Sequence, residues 1–167
     1  SLSPKTGNIR NSNTLSLIGK PFREDMQGRL GREVRLANDA NCFALSEAFD
    51  GAAAEAGANG VFGVILGTGC GGGLVINGKL QVGTNGIGGE WGHNPLAAPR
   101  ADEVPGPLCY CRRKGCNEVW LSGTGLARDH YEITGEKLTA VEIAAQATPE
   151  TRASIERLSD RLARALG

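Results

Sequence analysis

The chain has 167 residues with 18 basic and 18 acidic side chains, so its formal net charge is zero. That balance predicts no electrostatic attraction to nucleic acid or to an acidic lipid surface. Hydrophobic residues make up 40% of the chain without any long apolar run, which argues for a soluble globular protein without a membrane span.

The opening Ser1-Leu2-Ser3-Pro4 has neither an initiator Met nor a basic-then-apolar signal pattern. The only Met is internal, Met26, so the expectation is a fragment of a longer chain. Pro4-Lys5-Thr6-Gly7 reads as a turn, and Asn8, Asn11 and Asn13 as loop residues. Pro21 opens a helix with Phe22, Met26 and Leu30 on one face, closed by Gly31. Glu33 to Ala37 alternates around Val34 and Leu36 and reads as a short strand. A helix follows over 40–49, with Phe43, Leu45, Ala48 and Phe49 as its expected buried side, and stops at Gly51. The small, flexible composition of 52–60 places a domain boundary there, dividing the chain into 1–57 and 58–167.

Val61 to Leu66 is a continuous apolar strand that runs into the glycine loop 67–73. Leu74-Val75-Ile76 is expected as a second strand, Asn77-Gly78 as a hairpin turn, and 79–82 as the returning strand. Another glycine-rich loop leads to Gly89, and from Glu118 the chain reads as helical, with a break at Gly123-Thr124-Gly125. Thr139 to Glu142 matches a capping box, and Thr148-Pro149 an N-cap with Pro at the first helical position. Ile155, Leu158, Leu162 and Leu166 then form the core-facing stripe of a last helix, whose partner strand is expected beyond the chain. There is no internal repeat.

Five Cys is an odd number, and three of them sit too close together for a secreted disulfide framework. Metal-binding thiols in a reducing cytoplasm fit better. His93 with Cys109, Cys111 and Cys116 makes a four-donor set of the kind a tetrahedral zinc ion prefers. Such a site is structural, and it would pin Glu90 and Glu118 into one small cluster. The alternative is three ordinary buried thiols and a core imidazole.

Gly67, Gly69 and Gly72 formally satisfy G-x-G-x-x-G, but a strand and hairpin follow where a dinucleotide fold needs a helix. No G-K-[ST] follows either, which excludes a Walker loop. What remains is a strand–loop–strand whose backbone N–H groups, with the Thr68 hydroxyl, can cradle a phosphate, or a tight glycine hairpin with no ligand. Asp39 stands at a strand-to-helix junction, where it serves either as an N-cap or as a general base for a substrate hydroxyl.

Asn38-Asp39-Ala40-Asn41, the run 67–73, Gly89-Glu90-Trp91-Gly92-His93 and the run 109–118 resemble, in order, the motifs of the ROK family of sugar kinases and sugar-responsive repressors. The resemblance covers nearly the whole chain and is most similar to the family's bacterial fructokinases around Asp39 and Glu90. It implies a partial, two-domain α/β fold of the actin-like, RNase H-like type. It further implies that Asp39 is the catalytic base and that Asn38, Glu90, His93 and Glu118 bind the sugar. Gly67, Thr68 and Gly69 would face the ATP phosphates, and His93, Cys109, Cys111 and Cys116 would bind structural zinc, leaving the other imidazole nitrogen of His93 free for the sugar. Mg²⁺ would come with ATP.

The expected activity is therefore ATP-dependent phosphorylation of a hexose in the cytoplasm, with fructose as substrate. The alternatives are an N-acetylglucosamine, glucose or mannose kinase, or a sugar-responsive repressor. Members are often dimeric, so a homodimer is among the implied assemblies, without nucleic acid or membrane partners. The family usually has Gly where this chain has Arg112, so a positive φ there would strain the knuckle. The family's first phosphate loop would precede Ser1 and its adenosine-binding glycine loop would follow Gly167. The chain is thus expected to carry sugar and zinc sites without a complete ATP site, and to be inactive or feebly active alone.

Overall fold

A computed structural model of the chain describes residues 3, 5–10 and 14–167. Of the expected opening turn and loop, Pro4, Asn11 and Asn13 lie outside the described residues, while Lys5 and Thr6 do form a turn and Gly7 follows at φ +72°. The described elements run α1 (Phe22–Leu30), α2 (Asp39–Phe49), α3 (Ala52–Glu55), β1 (Gly60–Leu66), β2 (Cys70–Ile76), β3 (Lys79–Leu80), α4 (Asn117–Leu121), α5 (Gly123–Thr134), α6 (Ala140–Ala145) and α7 (Pro149–Leu166). β2 lies between β1 and β3 in a three-stranded sheet, antiparallel to β3 with Val75 opposite Leu80. Asn77 and Gly78, at φ 50° and 69°, make the tight turn that their sequence predicts.

The chain packs as two units, Ser1–Gly63 with Gly73–Gly89, and Val64–Gly72 with Glu90–Gly167. In the first, Ala44, Val61 and Val75 form the core, with Leu45, Ala48 and Leu80 against it. Glycines explain how closely α2 can approach. A Cβ on Gly73 would stand 2.6 Å from the Ala40 carbonyl oxygen, and one on Gly63 would stand 2.9 Å from the Ala44 Cβ. The buried side of α2 is therefore Ala40, Asn41 and Ala44. Phe43 and Phe49, expected inside, are 38% and 59% exposed, because a sheet surface stripped of side chains takes small residues, not rings. Residues 33–37, expected as a strand, form no ladder among the described residues. The amide N–H of Val34 instead donates to Gln27 Oε1 at 3.2 Å.

The second unit has Cys70, Trp91, Leu96, Trp120 and Leu121 at its centre, with Leu158 and Leu162 of α7 packed against them. The expected stripe of α7 is thus half realised; Leu166 is 50% exposed, and Thr151, Ser154 and Arg161 are the buried positions. Arg161 joins a network: it donates to Glu103 and Asp129, each at 2.8 Å, while Arg164 binds both carboxylate oxygens of Glu103. The Arg161 guanidinium also stacks 4.4 Å over the Trp120 ring, bracing α4. The expected break falls one residue early, at Ser122, whose extended backbone ends α4; Gly123 then starts α5, capped by the Ser122 hydroxyl, which accepts from the Gly125 N–H at 3.0 Å. The capping box at Thr139 and Glu142 and the Thr148-Pro149 start of α7 are both formed. Among the described residues no helix is long and apolar enough to cross a membrane.

Candidate functional site

In the second unit the chain from Trp91 to Leu96 is held along both edges. The Trp91 indole N–H donates to the Gly71 carbonyl at 2.9 Å. Gly92 has no room for a side chain, since a Cβ would strike the Cys70 carbonyl oxygen. On the other edge, Glu118 N–H donates to the Gly92 carbonyl, Asn117 N–H to Asn94 and Leu96 N–H to Gly115, at 2.8–3.0 Å. This lacing fixes His93 beside the knuckle 109–116. The knuckle closes through Cys109 N–H to the Arg113 carbonyl at 2.8 Å and Arg112 N–H to the Cys109 carbonyl at 2.9 Å. Arg112 adopts φ +70°, the left-handed conformation that its position requires.

His93, Cys109, Cys111 and Cys116 converge, with one donor atom from each lying within 4.8 Å of all the others. His93 Nδ1 is 3.5 Å from Cys109 Sγ, and Cys111 Sγ is 3.6 Å from Cys116 Sγ. Tetrahedral thiolates about 2.3 Å from a zinc ion are ~3.8 Å apart, so both the donor types and their spacing suit that metal. Burial and the neighbouring thiols push the Cys116 thiol up, whereas the backbone and side-chain donors of Arg113 hold Cys111 down. Thiols this close share their charge until a cation neutralises the set.

The other nitrogen of His93 is not open. Nε2 lies 2.8 Å from the Tyr110 hydroxyl, and the rings meet edge-to-face with centroids 4.9 Å apart. Sequence reasoning did not single out Tyr110, which stands between Cys109 and Cys111 and meets His93.

Glu118 is half-buried, and its Oε2 accepts from the Cys70 N–H at 3.2 Å. Glu90 is exposed. Both carboxylates act on the same groups: burial first, then Glu118 and Glu90, pushes the Cys70 thiol up to about 12. Burial, then Glu118 and more weakly Glu90, also raises the Tyr110 phenol. The glycine loop is shorter than its sequence suggests, because Cys70 to Gly73 are already in β2. Gly67 and Thr68 are exposed and Gly69 is half-buried. The Gly67 carbonyl accepts from Gly123 N–H at 2.7 Å and the Thr68 carbonyl from the Thr124 hydroxyl at 3.0 Å, seating the loop on the start of α5.

In the first unit, Asn38 rather than Asp39 caps α2, and its side chain accepts from Ala40 N–H at 2.9 Å. Asp39 is the first residue of the helix and exposed, with Oδ1 accepting from the same N–H. Asn38 lines a cavity of about 370 Å³ with Leu36, Asn41, Leu80 and Val82.

The second unit thus holds a His–Cys₃ cluster, Glu118 bonded to the start of β2, and a glycine turn seated on α5. The signature of the ROK family matches residues 1–167, and the chain belongs to that family. It is 43% identical over 163 residues to the N-acetyl-D-glucosamine kinase of Pectobacterium carotovorum, covering 93% of this chain and 53% of that protein. The N-acetyl-D-glucosamine kinase of Shigella flexneri is 45% identical over 168 residues, covering 96% and 55%. The chain spans about half the length of the curated relatives it matches. Among solved structures, it resembles a ROK family glucokinase from Streptomyces griseus in complex with glucose and AMPPNP, with a TM-score of 0.77, 28% identity and coverage of 99% of this chain and 57% of that one. The ROK hexokinase from Thermus thermophilus gives a TM-score of 0.75 at 30% identity, covering 90% and 49%. The fold is thus that of the ROK sugar kinases, an actin-like ATPase fold of which this chain is part. The expected likeness to fructokinases gives way here to N-acetylglucosamine kinases.

Proposed function

We propose that the chain carries the sugar-binding part of an ATP-dependent kinase that phosphorylates N-acetylglucosamine. The observation that supports this most is the convergence of His93, Cys109, Cys111 and Cys116 directly beside Glu118, in a chain whose matched relatives bear that activity. Fructose was the expectation from the local motifs; relatives at 43–45% identity favour the amino sugar.

In this reading, Asp39 takes the proton from the attacking sugar hydroxyl. Asp39 is exposed, and with Oδ1 accepting from the Ala40 N–H, its Oδ2 is the oxygen offered for that task. General-base assistance of this kind contributes about 10²–10⁴ in rate. Asn38, Glu90, His93 and Glu118 hold the sugar hydroxyls, and carboxylates suit a neutral polyol because they accept several O–H bonds. Gly67, Thr68 and Gly69 face the phosphates of ATP, which brings Mg²⁺ with it. Zinc on the His–Cys₃ set would lock the His93 tautomer and the knuckle. Residues 1–57 and 58–167 then belong to the two lobes of the whole enzyme.

The test is ADP release by the full-length protein with ATP and a panel of N-acetylglucosamine, glucose, mannose and fructose. The reading expects the highest kcat/KM with N-acetylglucosamine. Turnover of none of these sugars would sink it, and a preference for fructose would restore the motif-based expectation.

A further inference from the structure

Asn41 stands in the first turn of α2 and is only 8% exposed. Its Oδ1 is shut off from solvent and has no hydrogen-bond partner among the described residues. Buried side-chain amides are nearly always paired, so an unpaired one needs a reason. Asn41 borders the cavity of about 370 Å³ in the first unit, and with Oδ1 sealed away, Nδ2 is the polar end left to face that space. Asn38, three residues earlier on the same side of the helix, borders it too. The rest of the wall is largely apolar, with Ile9, Phe22, Leu36, Leu80 and Val82. One amide N–H donor among apolar side chains suits a group that carries a carbonyl oxygen next to a methyl. The acetamido substituent of an N-acetylated sugar is such a group. Glucose has a hydroxyl in its place, which can accept the same bond but leaves the apolar wall uncovered.

We propose that this cavity receives the acetamido group of the substrate and that Asn41 is a specificity-determining residue. Asn41 Nδ2 donates to the acetamido carbonyl oxygen, and the apolar wall covers the methyl. This rests on the N-acetylglucosamine reading above and names what within the chain selects that sugar. Asn38, assigned there to the sugar hydroxyls, keeps the ring beside the cavity mouth.

The experiment measures kcat/KM for N-acetylglucosamine and for glucose, with urea unfolding alongside, on the full-length wild type, Asn41→Leu and Val82→Phe. Leu has nearly the shape of Asn, so Asn41→Leu removes the donor and the sealed oxygen together and should unfold at the same or a higher urea concentration. Its kcat/KM for N-acetylglucosamine should fall about 2- to 12-fold, the effect of one neutral hydrogen bond, with glucose kept within about twofold. Val82 is 48% exposed and can give way to a larger ring. Val82→Phe fills the cavity from another wall and should cost N-acetylglucosamine about tenfold or more, again sparing glucose. An unchanged preference in either folded variant overturns this inference alone. Equal losses with both sugars also overturn it, reducing the residue to a brace for α2 and β3. Should Asn41→Leu fail to fold, Val82→Phe decides by itself. A wild type that phosphorylates no sugar, or that prefers glucose, overturns the function this inference rests on together with the inference.

Discussion

The carboxylate of Glu118 accepts the backbone N–H of Cys70 at 3.2 Å, tying the start of α4 to the glycine turn that precedes β2. The same oxygen stands 2.7 Å from where a Cβ on Gly69 would be. One residue without a side chain therefore sets where this acid can rest.

Gly69→Ala should push the Glu118 carboxylate aside, because the obstructing atom is the end of a flexible side chain and not backbone. The fold should survive with a stability loss below about 1 kcal/mol. Displacing a charged acceptor from substrate costs ~1.5–3 kcal/mol, so the sugar KM of the full-length protein should rise about tenfold or more. An unchanged KM would remove Glu118 from the sugar site.

Asp39 and Asn38 separate chemistry from capping. Asn38 accepts the Ala40 N–H at 2.9 Å, so Asp39→Asn leaves α2 capped and should alter unfolding free energy by less than ~0.5 kcal/mol. Its kcat should fall by about 10²–10⁴. Asn38→Ala, by contrast, should cost ~1 kcal/mol of stability. Near-normal turnover in Asp39→Asn would end the general-base assignment.

Arg112 holds φ +70° at the tip of the knuckle. A left-handed non-glycine residue costs ~1–2 kcal/mol, partly offset in glycine by its larger chain entropy. Arg112→Gly should therefore stabilise the protein by roughly 0.5–1 kcal/mol in chemical denaturation, with zinc content unchanged. A loss of stability would show that the guanidinium has a partner worth more than the strain.

Glu103 sets an acid limit. Burial alone would raise its carboxyl, but hydrogen bonds from Arg164, the Arg100 N–H and Arg161 bring it down to about 2, from the ordinary 4.5. A depressed folded-state value means that the unfolded chain binds the proton first as pH drops. The contribution is complete above about pH 5 and is lost between roughly 4.5 and 2. At 1.36 kcal/mol per unit it amounts to up to about 3 kcal/mol. Urea unfolding across that window should show the slope in the native protein and a shallower one in Glu103→Gln. Equal slopes would place the acid sensitivity elsewhere.

Local rules carried much of the fold. Gly31, Asn77-Gly78, the Thr139 capping box and Thr148-Pro149 act through their immediate neighbours, and each stands where its sequence puts it. The convergence of Cys109, Cys111 and Cys116 was legible for the same reason, since C-x-C-x₄-C closes on itself. What depends on distant partners was not. Residues 33–37 have strand composition but pair with no strand among the described residues. Gly73 reads as part of a ligand loop, yet its emptiness admits Ala40 and Ala44 of α2. Gly123-Thr124-Gly125 reads as a break, which stands one residue earlier at Ser122; nothing local reveals that a Cβ on Gly125 would stand 2.5 Å from the Val119 carbonyl oxygen. The particular sugar is not legible in local motifs: those around Asp39 and Glu90 resemble fructokinases, whereas the matched relatives are N-acetyl-D-glucosamine kinases.

The central claim is that a metal holds His93 and the knuckle as one rigid element beside Glu90 and Glu118. Elemental analysis of the protein purified without chelator tests it most directly, alongside Cys116→Ser. The account predicts one zinc per chain in the native protein and loss of most of it in the variant. Native protein free of zinc, or a variant that keeps it, would contradict the account.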